Sequence, residues 1–242
     1  MGIKQFIGYA LVVFASLVVS AQGSDFAFYK LSLIWPTSAC YPLSNCKTPL
    51  PTFFTIHGLW PTFANDTAVP AYGPNNRCNA NPVGPDAAVA RLTPIQDRLN
   101  QRWPNLRAGV ENSVFWRHEW QNHGICSDYP QDPLSYFNDT LNLATSTKFD
   151  PFKALGVQPS NTPYLLNTLL QNVYKNVGAY PQISCSQRSG GALYLREIRF
   201  CLTRTKKTPP SVVQSCPTRV AGGCKDPLTN NVHFPPASNP QS

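Results

Sequence analysis

The chain of 242 residues carries 20 Lys and Arg against 12 Asp and Glu, a formal charge of +8, yet only 13% of its residues are charged. That length is enough for one sizeable core, and with no repeat or linker it excludes an array of small domains. A surplus of cations favours polyanionic partners such as RNA or an acidic cell surface, but it also serves plain solubility, so motifs must decide.

Residues 1–23 combine Lys4, an apolar run from Phe6 to Val19 and the small-residue pattern Ala21-Gln22-Gly23. They predict a secretory signal removed near Ser24 or Asp25. With Lys4 gone and no acid in that segment, the charge of +8 falls by one to +7. The apolar run is shorter than the roughly 20 residues that span a bilayer, and no other stretch could serve as an anchor. An extracellular protein without membrane contact is expected, with residues 24–242 as one domain. Its cysteines, Cys40, Cys46, Cys78, Cys126, Cys185, Cys201, Cys216 and Cys224, are even in number behind a signal, which predicts four disulfides. None of them forms a CxxC zinc pair.

Phe26 to Trp35 alternates as a strand, and Phe53 to Leu59 reads as a second strand ending in a histidine motif. The stretch from Asn65 to Pro85 is rich in Pro, Asn and Gly and reads as a loop. Pro85 to Trp103 has apolar residues at helical spacing, with a break at Pro94. Asn112 to Gly124 suits a helix opened by Asn112 or Ser113 and stopped by Gly124. Shorter helices are predicted over Pro133–Leu143 and from Thr162, ahead of Pro163, to Val177. Ala192 to Thr203 reads as a core strand with a slip, a candidate bulge, near Glu197. Strands and helices mix without regular alternation, so the expected class is α+β with a central, mainly antiparallel sheet flanked by helices. Asn65-Asp66-Thr67 and Asn138-Asp139-Thr140 fit the N-glycosylation sequon, each in a polar stretch.

Three of the four histidines fall in two segments, Phe54-Thr55-Ile56-His57-Gly58-Leu59-Trp60-Pro61 and Phe115 to Cys126 with His118, Glu119, Trp120, Asn122 and His123. Imidazoles beside a carboxylate suit proton transfer near neutral pH without a metal, which is how RNA can be cut by its own 2′-hydroxyl. On a helix Glu119 shares a face with His123, and His118 with Asn122, while Trp116 and Trp120 form a stripe that reads as core. His118-Glu119 begins like the zinc signature HExxH, but the second histidine comes one residue late. In a regular helix that swings it roughly 140° around instead of roughly 40°, so two ligands would not converge on one ion. His57, at a strand end or in a loop, must be brought in by the fold, and His233 reads as structural or exposed.

With these residues in hand, the chain resembles the T2-type ribonucleases. His57-Gly58-Leu59-Trp60-Pro61 is similar to the family's first signature, and His118-Glu119-Trp120 with His123-Gly124 and Cys126 to its second. Leu33-Ile34-Trp35-Pro36, the cysteine pattern and the strand before Cys201 extend the likeness over the whole mature chain. The basic charge, eight cysteines and a single Cys46 before the first motif resemble the plant S-RNases of gametophytic self-incompatibility more than the S-like enzymes.

The resemblance implies that His57 protonates the departing 5′-oxygen, His123 takes the 2′-hydroxyl proton, Glu119 assists at the phosphorane and His118 holds the phosphate. It also implies Phe115 and Asn105 as base-binding residues, no cofactor, RNA as substrate, a monomer, and a pollen-side protein partner if the chain is an S-RNase. By the same similarity Cys40 pairs with Cys46, Cys78 with Cys126, Cys185 with Cys224, and Cys201 with Cys216. Two positions depart from the family. Asn122 stands where a lysine usually precedes the second catalytic histidine, and Ile34 stands where many relatives have Gln. The alternatives to a stylar S-RNase are a basic S-like or defence ribonuclease, a secreted recognition protein with weakened catalysis, and a zinc hydrolase.

Overall fold

The computed structural model describes residues 25–41, 45–205 and 209–237. The segment expected to be a signal, residues 1–23, lies outside the described residues, as do Lys206 and Lys207.

Strand β1 (Phe28–Ile34) is the axis of the sheet, pairing antiparallel with β2 (Thr55–Thr62) on one side and β5 (Leu193–Thr203) on the other. Beyond β5 come β4 (Gln182–Gln187), antiparallel, and then β7 (Val220–Gly222), parallel to β4. Short strands β6 (Val213–Gln214) and β8 (Asn231–Phe234) also join β5, and β3 (Ser160–Leu165) pairs with β8. The chain is thus α+β, with a mixed but mainly antiparallel sheet.

Alternation gives the sheet two unlike faces. Tyr29, Leu31 and Leu33 of β1, with Leu195, Ile198, Phe200 and Leu202 of β5, point into one buried core against Trp103, Trp120, Tyr136 and Phe137. The opposite face carries Lys30, Ser32, Gln182, Glu197 and Arg199, a polar row that is largely buried.

Two bulges interrupt the ladders. In β2, Ser32 pairs with Gly58 and Leu33 with Ile56, leaving His57 as the extra residue. In β5, Ser184 pairs with Glu197 and Cys185 with Leu195, leaving Arg196 extra, which is the slip expected near Glu197. Such insertions re-aim side chains.

Helices α1 (Pro36–Ala39), α2 (Pro85–Ala90), α3 (Gln96–Arg102), α4 (Asn112–Glu119), α5 (Pro133–Thr145) and α6 (Pro151–Leu155) precede α7 (Leu166–Val177). Three expectations are corrected here. His57 is not at a strand end, because β2 runs on to Thr62. The helix expected from Thr162 begins at Leu166. Pro163 sits in β3 instead, and the backbone N–H groups of Leu166 and Asn167 donate to the carbonyls of Asn230 and Pro227, so a tertiary contact fixes the start. At α4 the N-cap is Glu111, with no side-chain cap, and Asn112 instead accepts hydrogen bonds from Asn105 N and Lys47 Nζ.

The disulfides join Cys40 to Cys46, Cys78 to Cys126, Cys185 to Cys224 and Cys201 to Cys216, the same pairs that the resemblance implies. Cys78–Cys126 ties the loop after β2 to the residues just past α4. Asn65 lies in an exposed turn, accepting from Thr67 N and Oγ1. Asn138 sits on α5, in the helix expected there, its amide oxygen accepting from Arg98 Nη1, while Thr140 of the same sequon is buried and donates its hydroxyl to the Tyr136 carbonyl. Among the described residues no helix is long and apolar enough to cross a membrane.

Candidate active site

Helix α4 does not end as a regular helix. Trp120–Gly124 forms a π turn, closed by a hydrogen bond from Ile125 N to Trp120 O. The wider turn narrows the angle that a regular helix would impose between His118 and His123, which corrects the geometry assumed for the zinc signature. Among the described residues, all the same, no three His, Cys, Asp or Glu side chains group to hold a metal. Gly124 is needed inside this turn because a Cβ there would run into the Trp120 ring.

Trp60 joins the two histidine motifs. Its ring lies 4.8 Å from that of His57, nearly edge-on, and 5.3 Å from that of His123. Its Nε1 donates to Glu119 Oε2 (3.1 Å), and the same oxygen is 4.0 Å from His123 Nε2. Gly58 makes this approach possible, since a Cβ there would coincide with both partners of the Trp60–Glu119 bond. The backbone carbonyl of His57 accepts from Trp103 Nε1 (2.9 Å), and Trp116 Nε1 in turn bonds Trp103 O. The aromatic stripe of α4 is therefore core, as expected, and also braces the bulge.

Behind His57 the polar face of the sheet supplies a group that the sequence reading missed. His57 Nδ1 pairs with Glu197 Oε1 at 3.0 Å. Glu197 Oε2 accepts from Ser32 Oγ (3.1 Å) and from Arg199 Nε and Nη2 (2.9 and 2.6 Å). Arg199 Nη1 continues to Gln182 Oε1, which also accepts from Lys30 Nζ, and Lys30 ends on Asp66 at 2.8 Å. The only signal in the sequence is that Lys30, Ser32, Glu197 and Arg199 share one alternation phase of their strands, which by itself reads as a solvated face.

This arrangement pushes the two imidazoles apart in proton affinity. Burial alone would lower His57, but its hydrogen bond to Glu197 and the charges of Glu119 and Glu197 outweigh burial and the nearby Arg199, so it is raised. His123 is lowered to about 3, first by burial and then by the charges of His57 and His118. Its Nδ1 is buried without a partner, so a second N–H would have nothing to donate to. Burial pushes Glu119 up to about 7 against the opposing pull of His57 and the Trp60 hydrogen bond. Glu197 goes the other way, to about 2, because His57 and Arg199 overcome its burial. His57 is thus shifted towards holding its proton and His123 towards losing it, a division that suits an acid and a base.

The remaining residues are spread around this centre. Phe115 stands 5.8 Å from the His57 ring and also lines a cleft of about 610 Å³ with Ile34, Cys40, Asn105, Arg107 and Arg196. Asn105 has its side chain committed to the loop, accepting from Arg107 N and donating to Glu111 O. His118 is exposed in a shallow depression with Pro85, Val114 and Arg117. Asn122 turns back along the helix, its Nδ2 donating to His118 O at 2.8 Å. Arg204 is engaged by Asp128 and Asp25 and lies over Phe26.

Two imidazoles shifted in opposite directions around a buried carboxylate, on a disulfide-bonded α+β sheet, suit acid–base catalysis. The chain belongs to the Ribonuclease T2 family, which it matches over residues 26–216, and it is an endoribonuclease. It is 31% identical to ribonuclease T2 of Sus scrofa over 211 residues, covering 84% of this chain and 93% of that protein. Ribonuclease S-7 of Nicotiana alata is 30% identical over 231 residues, covering 90% and 93%. In structure the chain is similar to ribonuclease MC1 from bitter gourd seeds, with a TM-score of 0.67 at 22% identity, covering 86% of this chain and all of that one. A variant of that enzyme has been solved with bound 5′-UMP.

Proposed function

We propose that the protein is a secreted enzyme that cleaves single-stranded RNA by transphosphorylation through a 2′,3′-cyclic phosphate, and that it acts as a stylar S-RNase in self-incompatibility. The observation that carries the chemistry is the placing of His57 and His123 on either side of Trp60, with Glu197 on one imidazole and Glu119 beside the other. Neutral His123 takes the 2′-hydroxyl proton, the freed oxygen attacks phosphorus, and cationic His57 protonates the departing 5′-oxygen. The roles then reverse as water opens the cyclic phosphate. Glu197 on Nδ1 leaves Nε2 of His57 as the donor. Glu119 assists at the phosphorane, and His118, whose charge is felt at His123, holds phosphate. Phe115 offers the nucleobase a stacking face in the cleft.

The S-RNase role draws on the basic charge, the single Cys46 ahead of the first motif and the likeness to ribonuclease S-7. Its partner would be a pollen-side protein, and expression confined to pistils would support it. Glycans at Asn65 and Asn138 and removal of residues 1–23 belong to the same proposal.

An in-gel ribonuclease assay with and without chelator tests the chemistry, with cyclic phosphate followed in solution. Cleavage of RNA but not DNA, insensitive to chelator and passing through the cyclic product, is the expected result. Loss of activity with chelator would overturn it in favour of a metal hydrolase.

A recognition protein with weakened catalysis is the second reading, and Asn122 favours it. A hydrogen-bond donor turned back on its own helix brings no charge to a pentacoordinate phosphate. Asn122→Lys is therefore expected to raise kcat on a dinucleotide severalfold. A flat or lower kcat would mean that the missing cation is supplied from elsewhere, with Arg199, 5.1 Å from the Trp60 ring centroid, as one candidate.

A further inference from the structure

The cleft has a neighbour that the cleavage chemistry does not use. Tyr194 lies three residues before Glu197 on the same face of β5, and Arg188 places its guanidinium 3.7 Å from the centre of the Tyr194 ring and 4.3 Å from that of Tyr41. His233 stacks on Tyr194 as well, at 4.9 Å and 23°. The four side chains form a continuous pile of aromatic rings around one cation.

This pile adjoins the cleft. Cys40 and Arg196 line the cleft. Tyr41 directly follows the first of these, and Tyr194 comes two residues before the second. Arg188 is fixed to α1 by a hydrogen bond from Nη2 to the Thr37 carbonyl (3.3 Å), while its Nε is buried with no partner. Tyr41 is 59% exposed, an unusual place for a large ring held flat by a cation. Rings of this kind stack nucleobases whatever their sequence, and Arg188, Arg196 and Arg107 give the region the positive charge that a phosphate backbone requires.

We propose that Tyr41, Arg188, Tyr194 and His233 form a stacking subsite for the nucleotide adjoining the one in the cleft, so that the enzyme grips a longer segment of single-stranded RNA than it cuts. The proposal rests on the reading of the cleft as a base-binding site. It assigns Tyr41 the stacking face and Arg188 the neighbouring phosphate.

The test compares kcat/KM on a dinucleotide with that on trinucleotides extended by one residue at the 5′ or the 3′ end. The wild-type protein is expected to gain about tenfold from one of the two extensions, within the range for a single stacked base. Tyr41→Ala and Arg188→Ala should lose that gain and match the wild type on the dinucleotide, with Tyr41→Phe retaining it. An equal loss on both lengths, or no loss on either, overturns the subsite, and the second result would leave the pile to the fold or to a protein partner. Phe115→Ala separates the underlying reading. If it leaves dinucleotide cleavage unchanged, the cleft does not bind a base, whereas a length effect confined to Tyr41 and Arg188 variants speaks for the pile itself.

Discussion

His57→Ala and His123→Ala are each expected to lower RNA turnover by about 10²–10⁴-fold, the usual cost of removing a general acid or base. Both side chains are partly open, 26% and 18% exposed, so neither change empties the core, and far-UV circular dichroism and thermal unfolding should stay close to wild type. The two variants should differ in what survives. Without its acid, the enzyme should still cleave an activated substrate whose leaving group needs no proton, whereas loss of the base should affect both substrates alike. A His57 variant with wild-type turnover of ordinary RNA would remove that residue from the mechanism.

Glu197→Gln should move the alkaline limb of the pH–rate profile to lower pH. The groups acting on His57 are Glu197 and Arg199 from β5 and Glu119 from α4, with Arg196 against Glu197 and His123 across Trp60. Of the carboxylates among the described residues, Glu197 is the one hydrogen-bonded to the ring. Its removal takes away the partner that holds the imidazolium against burial and Arg199, so the proton leaves sooner as pH rises. Each pH unit beyond that point costs about tenfold in the protonated fraction, and the loss should appear in kcat with little change in KM. The acid limb, set by His123 near 3, should stay in place. A uniform fall at every pH would mean that Glu197 only supports the fold, and an unchanged profile would mean that His57 is held by other charges.

Period-2 alternation fixed β1 and β5 in advance, and the break in that alternation near Glu197 is a bulge that can be counted in the sequence. His57, Glu119, Trp60 and His123 were legible because their chemistry is concentrated in two short segments. The partnership of His57 with Glu197 was not, since the two are 140 residues apart and meet only through β1. Arg199 and Lys30 looked like ordinary charges on strands, and only the register shows them back to back on one buried face. The false helix at Thr162 has a related cause: a proline at the first turn is a good local signal, but β8 offers the same backbone an edge to pair with.

The extra residue in β2 has a bearing on association as well as on chemistry. β2 is the terminal strand of the sheet, eight residues long, and a regular edge of that length is a ready template for a strand of another molecule. His57 breaks the repeat at its third position, Pro61 withholds an amide near its end, and the turn after Thr62 folds back to bridge Ala68. The bulge that re-aims His57 is thereby also a guard on the rim of the sheet. The carbonyls of His57, Leu59 and Pro61 are moreover taken by Trp103 Nε1, Tyr136 Oη and Val69 N, so the chain itself occupies the rim that a second copy would need.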